Sequence, residues 1–392
     1  MKVSADFVKI TLSDFIVRSA YQMGKTPLLP IFAASIGATD TFLGLIVSVS
    51  TFTGLVSKPL FGIFSDRWGR RVWLLVALAF FVGVPFLYPF VQKPEQLFVV
   101  RIVHGFATAI FGPVTLAYIA DIMSDNLAES LGWFGMARSG GYIIGPAFAG
   151  WLLLTLEPVQ VFTVIGFISA LAIVPTLMLT SHDAPLEKRK HKPLRQQIMT
   201  TLQRSALTPA LWLSGGLEAS TFIALYTVKA FLPVFALNDG LSVVMVGLFF
   251  SVQEAAHVLV KPFGGRLGDS IGHLLNITLG IALLALGLLL LVYSDSVGLL
   301  LPSLLTGIAQ AFIFPSTVAL VSQQIAESQI GAGMGFIGMW QNFGKVTGPV
   351  LGGLLISQLG FEAVLILLAC SLLIGAGGLV VVLPRARALN DS

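Results

Sequence analysis

Polar and ionisable side chains recur inside the long apolar segments of this chain. In the first segment four of them follow one another at steps of four, three and four, a spacing that places them on one helix face. They are Asp14, Arg18, Tyr21 and Lys25. Charged residues are costly in lipid, so such a stripe indicates a water-filled cavity that handles protons or charged solutes. The alternative is a structural pair, such as Asp14 with Arg18 one turn away.

Later segments carry comparable groups. Besides Arg18, Tyr21 and Lys25, the residues predicted to contact a substrate are Arg138, Tyr226, Lys229, Gln341, Asn342 and Lys345. The predicted proton carriers are Asp14, Glu218 and Glu254, because a carboxylate removed from water favours its protonated form unless a cation is close. His257 follows Glu254 by one helical turn. The cavity cations outnumber these acids, which favours an anionic, zwitterionic or amphiphilic solute.

The composition places these charges in a membrane. Of the 392 residues, 56% are hydrophobic and only 11% are charged, whereas soluble domains carry about 25% charged residues. A soluble fold is therefore excluded. The single cysteine, Cys370, excludes an intrachain disulfide and a cysteine-based metal cluster, and we expect no metal or other cofactor.

Apolar stretches bounded by turn or charged residues predict an all-α membrane protein with twelve transmembrane helices. Their ranges are 7–34, 40–63, 72–92, 95–123, 128–156, 158–180, 208–237, 241–264, 273–294, 296–324, 328–358 and 360–384. We expect residues 1–180 to form an N-terminal six-helix half, 181–207 a polar linker and 208–392 a C-terminal six-helix half.

The distribution of positive charge predicts the orientation. Lys and Arg concentrate in both termini, the linker and the loops after the second and eighth helices. The loops on the opposite side hold one basic residue, Lys93, and six acidic residues. By the positive-inside rule, the termini and the linker are cytoplasmic. The net charge of +4 therefore reflects topology, and we expect no nucleic-acid partner.

The two halves are internal repeats. The segment KPLFGIFSDRWG, which begins at Lys58, matches KPFGGRLGDSIG, which begins at Lys261, at an offset of 203 residues. The same offset relates Pro30 to Pro233, Gly44 to Gly247, and Gly145-Pro146 to Gly348-Pro349. Repeats with the same topology place the substrate route between them.

Three motifs stand out within the repeats. The first joins the second and third helices and consists of Gly62, Asp66, Arg67, Gly69, Arg70 and Arg71. We expect Gly62 to permit close helix approach, Gly69 to form a tight turn and Asp66 to cap a helix N-terminus. Asp121, at the end of the fourth helix, is a suitable partner for the arginines. The alternative is that these arginines only fix topology.

The second motif is Leu97-x-x-x-Arg101-x-x-x-Gly105-x-x-x-Ala109, with His104 three residues after the arginine. The alternative for Arg101 is a side chain that snorkels to the membrane interface. The third motif, in the fifth helix, consists of Gly132, Gly141, Gly145, Pro146 and Gly150, and it recurs in the eleventh helix as Gly335, Gly344, Gly348, Pro349 and Gly353. Generic packing of small residues is the alternative for this third pattern.

Together these motifs resemble those of the major facilitator superfamily, especially its twelve-helix drug:proton antiporters, and the resemblance covers the whole chain. It implies a conformational latch between cytoplasmic helix ends, in which Asp66 meets the start of the eleventh helix and Arg70 meets Asp121 at the end of the fourth. It implies a proton-transfer role for Arg101, beside His104, and an export-associated "antiporter" motif in the fifth helix. The second copy of the latch has His273-Leu274 in place of the double arginine, so its role as a latch is not implied.

The resemblance implies a proton-coupled secondary transporter rather than an enzyme, which exports small organic compounds by alternating access. We expect a monomer in the lipid bilayer of the bacterial inner membrane, with protons and a small-molecule substrate as its partners. The alternative within transporters is uptake or exchange of an organic anion. A channel would need a continuous polar stripe, and a receptor would usually bring larger domains outside the membrane.

Overall fold

The computed structural model describes residues 4–123, 126–180, 209–325 and 330–390, and these ranges are helical without β-strands. The linker predicted at 181–207 lies outside the described residues. The helices of the first half are α1 (Ala5–Met23), α2 (Leu29–Ser35), α3 (Asp40–Trp68), α4 (Arg70–Gly83), α5 (Pro94–Ile122), α6 (Leu127–Leu152), α7 (Pro158–Leu171) and α8 (Ile173–Leu177). Those of the second half are α9 (Pro209–Asn238), α10 (Val243–Ile271), α11 (His273–Val292), α12 (Leu300–Ser322), α13 (Ile330–Leu359) and α14 (Phe361–Asn390).

The first predicted helix is broken. Between α1 and α2 lies a π-helical turn, Gly24–Leu28, in which Thr26 has φ −151° and ψ 123°. Pro27 lacks a backbone N–H and disfavours helical angles at the residue before it, which accounts for the break. Lys25 therefore sits in an irregular turn rather than on a continuous helix face. The third predicted helix also changes character, because α4 continues as a 3₁₀ segment, Val84–Phe90, which contains two prolines.

Nine helical segments among the described residues are long and apolar enough to cross a membrane. Helices α1, α6 and α13 are not among them. The first carries several charged residues, and the other two carry the glycine-rich motif. The predicted all-α membrane fold is confirmed, and the predicted count of twelve spans is consistent with these segments.

The repeat offset recurs in the backbone. Gly37 and Gly240, which are 203 residues apart, have φ of 87° and 75°. Gly69 and Gly272, separated by the same offset, have φ of 88° and 95°. These left-handed angles favour glycine because it has no Cβ. The tight turn predicted at Gly69 is thus confirmed, and its repeat partner forms the same kind of turn.

The chain divides into two compact units, residues 1–187 with 229–251 and residues 188–228 with 252–392. In the first unit α1 packs against α6, and α5 packs against α3 and α4. Its core contains buried aromatic residues such as Phe81, Phe111 and Tyr118. In the second unit α11 packs against α12 and α14. The segment 229–251, predicted to belong to the second half, is grouped with the first unit.

Candidate functional site

Asp14 is held in a buried ion pair. Its side chain is inaccessible to solvent, and both of its oxygens accept hydrogen bonds from Arg138 of α6, at 2.9 Å from Nε and 2.7 Å from Nη2. Arg18 lies farther away, with Nε 3.6 Å from Asp14 Oδ1. Sequence spacing indicated Arg18 as a pairing partner and Arg138 as a substrate ligand. The stronger pair is with Arg138, 124 residues away along the chain.

Glu218 of α9 has a different environment. It is fully buried, and it accepts hydrogen bonds from Thr317 Oγ1 at 2.5 Å and from Gln341 Nε2 at 3.3 Å. Both donors are neutral. Among the described residues no Lys, Arg or His forms an ion pair with Glu218 within 4.0 Å. Gln341, which was predicted to bind substrate, thus contacts the buried acid. Thr317 was not identified from the sequence, because a single threonine in an apolar helix carries no functional signal.

Arg101 and His104 form a buried polar group on α5. Arg101 is 1% exposed and His104 is 6% exposed, so the alternative that Arg101 snorkels to the membrane interface is wrong. Its Nη2 donates to Ser50 Oγ at 2.6 Å, and its Nη1 lies 3.4 Å from His104 Nδ1. The ring of Tyr21 meets the ring of His104 edge to face, with centroids 5.1 Å apart. Ser50 was not identified from the sequence.

Aromatic rings contact two more polar residues of the second unit, Lys345 and His257. Lys345 Nζ lies 4.3 Å from the ring centroid of Phe222, and Phe222 stacks on Phe314 at 4.9 Å. Phe314 in turn meets the ring of His257 at 5.6 Å, and His257 Nδ1 lies 3.7 Å from Glu254 Oε1.

Four further residues predicted to contact substrate are divided between the two units. Tyr226 lies 5.9 Å from Phe222, ring to ring. Asn342 donates to the backbone oxygen of Gly338 in its own helix at 2.7 Å. In the first unit, Lys25 Nζ lies 5.8 Å from the ring centroid of Tyr21, and this unit also contains Lys229.

The first motif forms the predicted contacts of Arg70. Its Nε lies 3.2 Å from Asp121 Oδ2, its Nη1 donates to Ser65 Oγ at 2.8 Å, and it also pairs with Asp66. Arg67 lies in the last turn of α3. These contacts join the end of α3 and the start of α4 to the end of α5.

One prediction for this motif is wrong and another stays a prediction. Asp66 lies in the last turn of α3 and does not cap α4, whose cap position is Gly69. Its implied partner, the start of the eleventh helix, adjoins residues outside the described ranges, so a cap there stays a prediction. A Cβ atom placed on Gly62 would meet no described atom within 4 Å, so Gly62 does not mark a close helix approach.

The third motif packs each helix that carries it against the first helix of its own repeat. A Cβ on Gly141 or Gly145 would come within 3 Å of the α1 backbone at Ser19. A Cβ on Gly344 or Gly348 would come within 3 Å of the α9 backbone, at Ala219 and Ile223. The close approach agrees with the packing alternative for these four glycines.

The ends of the motif in α6 differ from each other. Gly132 has open space around it. A Cβ on Gly150 would lie 2.9 Å from the backbone oxygen of Val243 and 3.3 Å from Gly247 Cα. Next to this crossing with α10, the backbone N–H of Ala147, which follows Pro146, donates to Ser251 Oγ at 2.9 Å.

This packing predicts a difference between two glycines of one motif. We expect Gly344→Ala to lower the free energy of unfolding by about 1–3 kcal/mol, because the added methyl has no space beside Ala219. Gly335→Ala is the matched control, since its Cβ would meet nothing within 4 Å and alanine favours a helix. Thermal unfolding of both variants in detergent measures the difference. Equal stability of the two variants would contradict the packing role.

A comparison with known protein families decides the identity of the fold. The sequence profile of the Major Facilitator Superfamily matches residues 15–252 and 217–391. The chain belongs to the major facilitator superfamily. It is therefore an integral, multi-pass membrane protein that transports small molecules, as the resemblance implied.

Relatives with similar sequences include multidrug transporters. The chain is 27% identical to Multidrug resistance protein 1 of Bacillus subtilis, over 84% of each chain. It is 24% identical to the multi-drug resistance efflux pump PmrA of Streptococcus pneumoniae, over 86% of each. An uncharacterized MFS-type transporter of Methanocaldococcus jannaschii is 28% identical, over 85% of this chain and 87% of that protein. The predicted similarity to drug:proton antiporters is confirmed.

Solved structures share the fold. The nucleoside transporter NupG superposes with a TM-score of 0.79 at 16% identity, covering 97% of this chain and 99% of its own. A bacterial homolog of the lysosomal transporter Spinster, inward-facing and occupied, superposes with a TM-score of 0.76 at 14% identity, covering 97% and 96%. At these identities the likeness establishes the fold alone.

Proposed function

We propose that this superfamily member is a proton-coupled secondary transporter that exports small organic compounds by alternating access. The observation that carries the proposal is Glu218, a fully buried acid whose hydrogen-bond donors, Thr317 and Gln341, are neutral. A buried carboxylate is costly without a cation, so proton uptake relieves that cost and proton release restores it. Such a group suits reversible proton binding during a transport cycle.

The other predicted carriers have different surroundings. The charge of Asp14 is already compensated by Arg138 through two hydrogen bonds. Glu254 has His257 3.7 Å away. We therefore assign the principal coupling role to Glu218, with Asp14 and Glu254 as secondary candidates and with Arg101 and His104 as a separate buried pair.

The proposed substrate is anionic, zwitterionic or amphiphilic. We keep the predicted cations Arg18, Lys25, Arg138, Lys229 and Lys345 as the charge contacts to substrate, and two of them, Arg18 and Arg138, also contact the carboxylate of Asp14. Lys345 lies against the stacked rings of Phe222 and Phe314, which favours a compound that combines negative charge with a flat apolar part.

Similarity to multidrug efflux pumps and the glycine motif of α6 favour export. The nucleoside transporter NupG has the same fold, and uptake or exchange of an organic anion is the second candidate function. We further propose that the protein is a monomer in a bacterial membrane with both termini in the cytoplasm. The ion pairs of Arg70 with Asp66 and Asp121 are proposed to act as a conformational latch.

The test is solute flux in proteoliposomes. With an imposed pH gradient, a proton-coupled exporter is expected to move an amphiphilic organic anion against its concentration gradient, in the direction opposite to proton flow. Collapse of the pH gradient with a protonophore is the control. Flux that depends only on the solute gradient would contradict proton coupling, and accumulation in the direction of proton flow would support uptake instead.

A further inference from the structure

A small cavity lies inside the first unit, among α1, α4, α5, α7 and the 3₁₀ segment Val84–Phe90. Its size is on the order of one water molecule. The polar side chains that line it are Tyr21, Tyr88, Arg101, His104 and Ser169. All of its lining residues belong to the first unit, and they do not include Asp14, Glu218 or the aromatic group around Lys345.

Arg101 brings a positive charge to this cavity without a negative partner. Its guanidinium stays protonated in proteins, and the residue is 1% exposed. Its guanidinium lies against Ser50 Oγ and His104 Nδ1 and close to the hydroxyls of Tyr21 and Tyr88, and none of these groups is a carboxylate. No carboxylate of the described chain pairs with Arg101 within 4.0 Å. A buried charge in this position is expensive unless an anion compensates it.

Hydrogen-bond donors are also available at the cavity. Arg101 Nε, His104 Nε2 and Tyr88 Oη are buried and have no hydrogen-bond partner among the described side chains. The three residues are each more than nine-tenths buried, and each of these atoms can donate a hydrogen. Lys25 brings a second basic side chain close to the lining, with Nζ 5.8 Å from the ring centroid of Tyr21. Several donors and excess positive charge around one small cavity are the chemistry of an anion site.

We propose that this cavity binds one monatomic anion of halide size, which in a cell is chloride. The anion accepts hydrogen bonds from Arg101, His104 and Tyr88 and compensates the guanidinium charge. A water molecule matches the size of the cavity but leaves that charge uncompensated. A halide is slightly larger than a water molecule and sulfate is much larger, so the small volume favours a monatomic anion over a polyatomic one. The site is additional to the proposed exchange of protons and substrate, which requires no third ion.

The first test is thermal unfolding of the purified full-length protein in detergent. Potassium chloride is titrated against potassium gluconate at constant ionic strength. We expect chloride to raise Tm saturably, since a ligand that binds only the folded state stabilises it, and gluconate to have no such effect. Equal stabilisation by both salts would overturn the proposal.

Two tyrosine variants, one at the cavity and one away from it, test where chloride binds. Tyr88→Phe removes one donor, and loss of a hydrogen bond to a charged partner weakens affinity about tenfold to a hundredfold. Tyr118→Phe is the matched control, because the Tyr118 hydroxyl contacts Asp6 and the backbone oxygen of Thr180 and the residue does not line the cavity. We expect the apparent Kd for chloride to rise only in Tyr88→Phe. An unchanged Kd in that variant would place the halide elsewhere.

Bromide provides a measurement that needs no variant. In crystals of the unmodified protein grown in bromide, we expect an anomalous peak beside Arg101, His104 and Tyr88. This result would support the site even if Tyr88→Phe failed to fold. Bromide peaks on the protein surface with none in the cavity would overturn the proposal.

Discussion

Glu218→Gln is expected to abolish solute transport driven by a pH gradient, reducing it to the level of protein-free liposomes. The amide keeps the shape of the carboxyl group and retains polar contacts with Thr317 and Gln341, but it cannot take up and release a proton. Substrate exchange without net proton movement should survive, because it does not require that step. The measurement is pH-driven flux and counterflow of the same solute in proteoliposomes.

The controls separate coupling from folding and binding. Glu362→Gln, an exposed acid in the first turn of α14, should leave both activities unchanged. Thr317→Val, which removes the closer donor to Glu218, should shift the pH dependence of transport while preserving counterflow. Full pH-driven flux in Glu218→Gln would refute the assignment and transfer the coupling role to Asp14 or Glu254. Loss of counterflow as well would indicate a binding role for Glu218.

Arg138→Gln is expected to lower the free energy of unfolding by about 3–5 kcal/mol, because it leaves the buried carboxylate of Asp14 without its main partner. Arg18, with Nε 3.6 Å away, compensates only in part. Thermal or denaturant unfolding in detergent measures the loss. The double variant Asp14→Asn with Arg138→Gln should recover part of it, since no uncompensated charge remains.

The matched control is Arg70→Gln, which breaks two partly exposed pairs, with 20% of the Arg70 side chain, 39% of the Asp66 side chain and 42% of the Asp121 side chain accessible. Each pair in such a position contributes at most about 1 kcal/mol. If Arg138→Gln costs no more than Arg70→Gln, the pair with Asp14 is not a structural element. Arg138 would then return to consideration as a substrate ligand.

The sequence determined the fold class and the repeat. Long apolar segments admit only helices that span a bilayer, because lipid cannot satisfy exposed backbone groups. The 203-residue offset followed from residue identity alone, and it reappears in the left-handed glycines at 37 and 240 and at 69 and 272. The break at Thr26 and Pro27 was missed, because residues 7–34 were predicted as one continuous helix although proline disfavours helical angles at the residue before it.

Only the tertiary structure decided which buried charges are paired. Helical spacing relates residues within one turn, and it suggested Arg18 as the partner of Asp14. Packing of α1 on α6 instead brings Arg138 to both oxygens of that acid. Thr317, 99 residues from Glu218, and Ser50, 51 residues from Arg101, are likewise joined by packing. The helical period of the sequence determines which face of a helix carries a charge. The partner of that charge depends on which helix packs against that face, and only the tertiary structure shows this.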